Sequence, residues 1–312
     1  MCRGRLRPGT GEARLTLPVA APSSTDRRVI GLIAGQGQLP VLVARGIRHA
    51  GHRVACIGLR DQFVPELPPL CDDFRQAGVI QLGKWIRIAR RMGFGDAVMV
   101  GRVSKARMHD PLRLIRQIPD WRAAMLWYRR LRHDHRSGPL LTALAEELLD
   151  NGVRLIDSTT FIPEHMATEG PMGRVEASAL QRGDIAFGWP MLASLLRLEI
   201  GQAMAVRDRD VVAVEAVEGT DRMIDRAGEL CRAKGWTLLK SASESHDRRA
   251  DVPTIGTGTV ERLARAGGGC IAVGAGRVIL VDRAAVLATA DRLGIAIVGV
   301  APVHEKDARG GG

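Results

Sequence analysis

Aromatic residues are scarce: five Phe, five Trp and one Tyr among 312 residues. Proteins that grip single-stranded nucleic acid stack bases on aromatic side chains, so no nucleic-acid partner is expected. Cysteine is sparse too. The five present (Cys2, Cys56, Cys71, Cys231, Cys270) are odd in number, far apart and never in a C-x-x-C pair. That pattern argues against zinc or a disulfide framework and for a reducing, cytoplasmic compartment. No apolar run approaches ~20 residues, so no helical membrane span is expected. There is no G-x-S-x-G elbow and no H-E-x-x-H helix, and the eight histidines are scattered. An acyl-transfer enzyme built on a nucleophile–histidine pair is therefore not expected.

Hydrophobic residues make up 46% of the chain, enough for two domains with cores of their own. The net charge of +11 is concentrated in two places. The first 28 residues carry six arginines against two acids and lack an apolar centre. They read as a disordered extension, or a start codon placed too early, and not as a secretory signal. Residues 110–136 carry seven arginines against three acids. Within them, 111–132 has a helical pattern with Leu114, Ile118, Trp121, Met125 and Leu126 on one side and arginines on the other. Such a helix packs its stripe into a core or rests on anionic lipid.

Strands and helices alternate along the chain. Arg28–Ala34 reads as a strand, followed by a glycine loop (Gly35, Gln36, Gly37) and a helix with Pro40 near its start. Strands are expected at 53–59, 79–82 and 97–100, and a helix at 85–91. Further helices are expected at 140–149 and 185–198. A hairpin is expected around 207–210, a strand at 237–240, a pair of strands joined across 274–276, and a last strand at 296–300. This is the pattern of an α/β fold with a parallel sheet covered on both faces. The segment 161–180, rich in proline, glycine and polar residues, reads as a linker, and 305–312 as a disordered tail.

Gly35-x-Gly37 is half of a dinucleotide fingerprint, because Pro40 replaces the third glycine. The loop serves either phosphate or sugar binding, or simply a tight turn. Gly78–Lys84 meets most of a P-loop pattern, but its middle reads as a strand and Trp85 stands where Ser or Thr reaches magnesium. No P-loop is expected. The Gly101–Lys105 turn is either a site at a strand's carboxyl end or a solvated loop.

The stretch Asp251-Val-Pro-Thr-Ile-Gly256 sets an acid ahead of a turn and a short helix, which Thr257 or Thr259 would cap. It is either a phosphate- and metal-binding corner or an ordinary strand–turn–helix corner. Glu218, Asp221 and Asp251 together would suit an oxygen-rich magnesium site. Such a set of turns fits phosphoryl transfer or pyrophosphate hydrolysis, in which positioning and charge neutralisation dominate.

Five of these turns occur in a familiar order: Gly31–Pro40, Val100–Lys105, Glu199–Gln202, Glu215–Asp221 and Asp251–Gly256. From Val29 to Val300 the chain resembles the UDP-2,3-diacylglucosamine pyrophosphatases of lipid A biosynthesis, the type unrelated to calcineurin-like phosphoesterases. The resemblance implies a Rossmann-like N-terminal domain (29–160), a C-terminal catalytic α/β domain of unusual fold (181–304), and a substrate held between them. It implies Mg²⁺- or Mn²⁺-dependent hydrolysis of UDP-2,3-diacylglucosamine to UMP and 2,3-diacylglucosamine 1-phosphate (lipid X).

Asp251 matches the family's essential acid, as metal ligand or water activator, and Asp221 is the second expected metal ligand. Gly35, Gln36, Gly37, Ser104, Gln202, Thr220, Asp221 and Thr254 are the expected substrate-binding residues. A homodimer and peripheral contact with the inner membrane stay open. So does the alternative of a UDP-sugar or lipid-phosphate binder, because two places depart from the family pattern. Arg136-Ser137-Gly138 stands where Gly-Asp-Asp is usual, and Ser243–His246 where Lys-Pro before Gln is common.

Overall fold

A computed structural model describes residues 27–103, 120–126, 137–243, 246–249 and 252–301. Ser104 and Asp251 lie outside the described residues, as do most of the 111–132 helical pattern and both tails.

The N-terminal part carries a five-stranded sheet with β1 (Val29–Ala34), β2 (Arg53–Leu59), β3 (Asp73–Ala77), β4 (Asp96–Val100) and β5 (Arg154–Leu155). The order is β3-β2-β1-β4-β5 and every pairing is parallel. Parallel strands are buried on both faces, which is why β1 and β2 read as continuous apolar runs. On one face α1 (Leu39–His49) packs Val43, Ala44 and Ile47 against Leu32, Val54, Cys56 and Val98. On the other, α2 (Leu82–Met92) and α4 (Ser137–Asp150) cover Ile33, Ile57, Ala97 and Leu155.

The strand expected at 79–82 is instead a turn and the start of α2, and the third strand is β3. β3 is an edge strand of sequence DFRQA with two exposed residues, so it lacks an apolar run. Strand, turn and helix thus surround Gly78–Lys84 after all. The amides a phosphate would need are occupied, however: Gly83 and Lys84 N–H donate to Asp120 Oδ2 at 2.5 and 3.3 Å. Trp85 is buried, with Nε1 on the Gly78 carbonyl at 2.9 Å. Asp120 also caps α3 (Trp121–Leu126) through the Ala123 N–H at 3.0 Å. Trp121, expected on an apolar stripe, stands exposed.

The C-terminal part holds a mixed sheet of β6 (Gly170–Pro171), β7 (Ala203–Arg207), β8 (Asp210–Val214), β9 (Trp236–Lys240), β11 (Gly268–Gly274) and β13 (Ala296–Val300). Its order is β6-β13-β11-β9-β7-β8. β9, β11 and β13 are parallel, and β8 runs the same way because β7 is antiparallel to both β8 and β9. Helix α5 (Ala179–Arg197) opens with a Ser178–Gln181 capping box and covers one face with Ile185, Trp189 and Leu192. α6 (Thr220–Leu230), α7 (Thr257–Arg265) and α8 (Arg283–Leu293) cover the other face.

The strand pair expected across 274–276 does not form. β12 (Ile279–Leu280) instead pairs in parallel with β10 (Thr254–Ile255) as a separate two-stranded sheet. Gly256, in ordinary extended backbone, is the N-cap of α7, and neither Thr257 nor Thr259 supplies a side-chain cap.

Candidate active site

Two expected turns meet in the N-terminal sheet between β1 and β4, where the strand order reverses and α/β folds place ligands. Gly35 N–H donates to the Val100 carbonyl at 2.9 Å, and Gln36 and Arg102 exchange backbone hydrogen bonds at 2.8 and 3.0 Å. A Cβ on Gly35 would stand 2.7 Å from the Arg102 carbonyl oxygen. Gly101 sits at φ +99° with its Cα edge against Gly35. Neither position accepts a side chain. Gly37, at φ +98°, has open space around it and leaves the loop backbone accessible.

Two further expected turns, Glu199–Gln202 and Glu215–Asp221, meet the end of β9 at the carboxyl edge of the mixed sheet. Ser241 N–H donates to the Gln202 carbonyl at 3.0 Å, and Glu215 N–H to the Ala203 carbonyl at 2.9 Å. A Cβ on Gly201 would collide with the Glu215 carbonyl. Thr220 opens α6 and Lys240 ends β9. Lys240 Nζ donates to Thr220 Oγ1 at 2.8 Å, and Thr220 Oγ1 donates to Glu215 Oε1 at 3.0 Å. Asp221 is exposed in the first turn of α6. Glu218 is tied to Arg226 and to the Ala216 N–H, and backbone N–H groups with that guanidinium hold its carboxyl below the ordinary range. Thr254 is half-buried in β10, beside Ile279.

The loop after β9 reaches across to the residues that follow β5. Arg248 Nε lies 3.0 Å from Asp157 Oδ2, its Nη2 donates to Thr159 Oγ1 at 2.8 Å, and its carbonyl accepts from Ser158 N–H at 3.0 Å. All three partners follow β5. Arg249 forks onto both oxygens of Asp247 (Nε at 2.8 and 3.0 Å) and returns its own N–H to Oδ1 at 3.0 Å. Val252, the residue after Asp251, is buried in the apolar cluster that holds Ala34, Val41 and Val100. The chain just past the expected essential acid is thus anchored beneath the strand ends that carry Gly35 and Gly101.

A cavity of about 370 Å³ opens here, lined by Ala242, Ser243, His246, Arg248, Val252 and Arg277 among others. Arg277 Nη1 donates to the Ser243 carbonyl at 3.0 Å, which holds that side of the rim. The volume is within the range of small-molecule sites, and the basic side chains suit a ligand with phosphate oxygens. Among the described residues no three His, Cys, Asp or Glu side chains converge to hold a metal. Mg²⁺ is commonly held by only one or two carboxylates with water completing its shell.

Sequence reasoning brought forward Gly35, Gln36, Gly37, Gln202 and Thr220, and each stands in one of these two groups of turns. It missed Glu215 as a partner of Thr220, and it missed the cavity residues Arg248 and Arg277. Glu215 carries a signal in its spacing, an acid two residues beyond the inward-facing Ala213 of β8. The two arginines carry none.

Comparison with known families decides the relationship. Residues 29–165 match the LpxI N-terminal domain, and residues 168–298 match the LpxI C-terminal domain. The chain belongs to the LpxI family. A curated LpxI relative, the UDP-2,3-diacylglucosamine pyrophosphatase LpxI of Caulobacter vibrioides, is 33% identical over 292 residues, which is 88% of this chain and 98% of the relative. A solved structure of a nucleoside-diphosphate-sugar epimerase from Pseudomonas aeruginosa covers 91% of this chain and 95% of its own, at 15% identity and a TM-score of 0.28. That likeness is too weak to bear on fold or function. In LpxI terms, the Gly35 and Gly101 turns belong to the N-terminal domain and the Gln202, Thr220 and Lys240 turns to the C-terminal one.

Proposed function

We propose that this chain hydrolyses the pyrophosphate bond of UDP-2,3-diacylglucosamine in lipid A biosynthesis. Water cleaves the bridging P–O bond, giving UMP and 2,3-diacylglucosamine 1-phosphate. One observation carries the reading: four of the five turns that carry the resemblance gather at two sheet ends, and the Arg248 loop, which lines a basic cavity, reaches from one sheet to the residues after β5 of the other.

In this reading His246, Arg248 and Arg277 hold the pyrophosphate oxygens, and the open backbone of Gln36-Gly37 receives the polar end of the nucleotide sugar. Asp251 activates the attacking water or binds Mg²⁺ together with Asp221. Such an ion would neutralise charge on the phosphates as the bond breaks. Peripheral contact with the membrane that stores the lipid is supported by the exposed apolar residues Leu198, Ile200 and Val217 on the turns around Gly201 and Glu215. None of the described helices is long and apolar enough to cross a bilayer. Failure of the full chain to co-sediment with phosphatidylglycerol vesicles would contradict that contact.

The test is UMP release from the diacylated substrate by purified protein with Mg²⁺. A second reading, a UDP-sugar or lipid-phosphate binder without hydrolysis, draws on Ser243 and His246, where the family pattern is broken and which line the cavity. Substrate that binds tightly yet stays intact on long incubation favours it over the first.

A further inference from the structure

Asp157, Ser158 and Thr159 follow β5 in the N-terminal domain, and Arg248 belongs to the loop after β9 in the C-terminal one. The contact between them has a fixed sense. Thr159 Oγ1 has a single proton, which it gives to Asp157 Oδ1 at 2.7 Å. The Thr159 N–H donates to the same oxygen at 2.8 Å and locks the turn. The hydroxyl lone pairs are left to accept, and Arg248 Nη2 donates to them at 2.8 Å. The second carboxylate oxygen, Oδ2, lies 3.0 Å from Arg248 Nε. Ser158 N–H takes the Arg248 carbonyl at 3.0 Å, so main chain and side chain are held together. Ser158 and Thr159 are themselves buried.

Stability gives little reason for this arrangement, because an ion pair as exposed as Arg248 and Asp157 contributes little to it. What the three anchors supply is direction. Nε and Nη2 make the contacts with Asp157 and Thr159, Nη1 takes part in neither, and Arg248 lines the basic cavity. A guanidinium is a planar, rigid fork, so fixing one edge fixes where the other edge points. We propose that Asp157 and Thr159 are positioning residues. They hold the Arg248 guanidinium so that its Nη1 edge meets an oxygen of the substrate's pyrophosphate in the cavity. The N-terminal domain thereby aims a phosphate-binding cation that the C-terminal domain carries. The inference rests on the pyrophosphatase reading and assigns the aiming to two residues that need not touch substrate.

The experiment uses the full chain and reads the Kd for UDP and kcat/KM for UMP release. Thr159→Val keeps the shape and removes the hydroxyl. It should lose about tenfold or more in both readouts, whereas Thr159→Ser stays within about threefold. Arg248→Ala should weaken UDP binding by about tenfold or more. In that background Thr159→Val should cost almost nothing further, because it acts through the missing guanidinium. Guanidinium ion at low millimolar concentration, against NaCl of equal ionic strength, should recover about tenfold of the rate that Arg248→Ala loses, since Asp157 and Thr159 still form its cradle. The recovery should vanish when Thr159→Val is added.

Equal losses for Thr159→Val in both backgrounds would mark that residue as structural and overturn the inference. So would UDP binding unchanged in Arg248→Ala. No recovery by guanidinium, or a recovery indifferent to Thr159→Val, would leave Arg248 a tether between the domains and overturn it as well. Should Arg248→Ala fail to fold, UDP binding by Thr159→Val against Thr159→Ser decides alone, and equal affinities overturn it. UDP binding that depends on Arg248 and Thr159 without UMP release would refute the hydrolase reading and leave the positioning role standing.

Discussion

Arg248 reaches Asp157 with an Nε–Oδ2 separation of 3.0 Å and so ties the loop leading to Asp251 to the exit of β5 in the other domain. The same guanidinium takes the Thr159 hydroxyl, so one side chain makes two of the contacts that join the two halves of the site.

Arg248→Ala should therefore act on catalysis far more than on stability. The pair is partly exposed, 44% and 40%, and such a bridge is worth about 1 kcal/mol at most. Misplacement of a catalytic loop by about 1 Å costs on the order of 100-fold in rate. Steady-state kinetics beside a urea unfolding midpoint checks the split. Arg248→Lys should not restore the rate, since a lysine cannot make the same fork.

Glycine substitutions in the first loop should separate by geometry. Gly101→Ala meets both a left-handed φ of +99° and the Gly35 backbone, so it should destabilise by about 2–3 kcal/mol. Gly37→Ala meets the left-handed φ of +98° alone, with open space around it, and should cost about 1 kcal/mol. Denaturant midpoints of the two variants measure the difference.

Acid should loosen the loop at Asp247. The Arg249 guanidinium, hydrogen-bonded to both its oxygens, holds this carboxyl below the ordinary range. A group shifted that way adds stability above the unfolded value, about 3.9 for Asp. It loses that stability as pH falls through the folded value. Exchange of the Arg249 amide, which bonds to Asp247 Oδ1, should be slow from pH 8 to about 5 after correction for intrinsic rates, and should speed up below about pH 4. Asp247→Asn should show fast exchange already at neutral pH.

The cysteines should alkylate in a fixed order. Burial pushes the Cys270 thiol up to about 12 and the Cys56 thiol well above its usual range. A hydrogen bond from Cys56 lowers half-buried Cys71. A short iodoacetamide pulse at pH 8, read by mass spectrometry, should modify Cys71 before Cys56 or Cys270.

The sheet of the N-terminal domain was legible because buried parallel strands such as VIGLIA and RVACIGL are continuous apolar runs. β3 was not, because an edge strand keeps its charged residues. The partner of β12 was not legible either: two residues, Ile279 and Leu280, carry no sign of which distant strand they join. Site turns could be picked out one at a time, from their glycines and their order. Their convergence could not, since the Glu215–Thr220–Lys240 chain is made by three elements meeting at one sheet edge. Arg248 and Arg277 look like any surface arginine until the loop after β9 folds back on β5.

The most direct test of the central claim is UMP release from UDP-2,3-diacylglucosamine, wild type against Asp251→Ala, with and without Mg²⁺. The account predicts metal-dependent release by the wild type and a loss of about 1,000-fold or more in the folded variant, as for removal of an essential catalytic group. A folded wild-type protein that releases no UMP, or an Asp251→Ala variant as active as wild type, would contradict it.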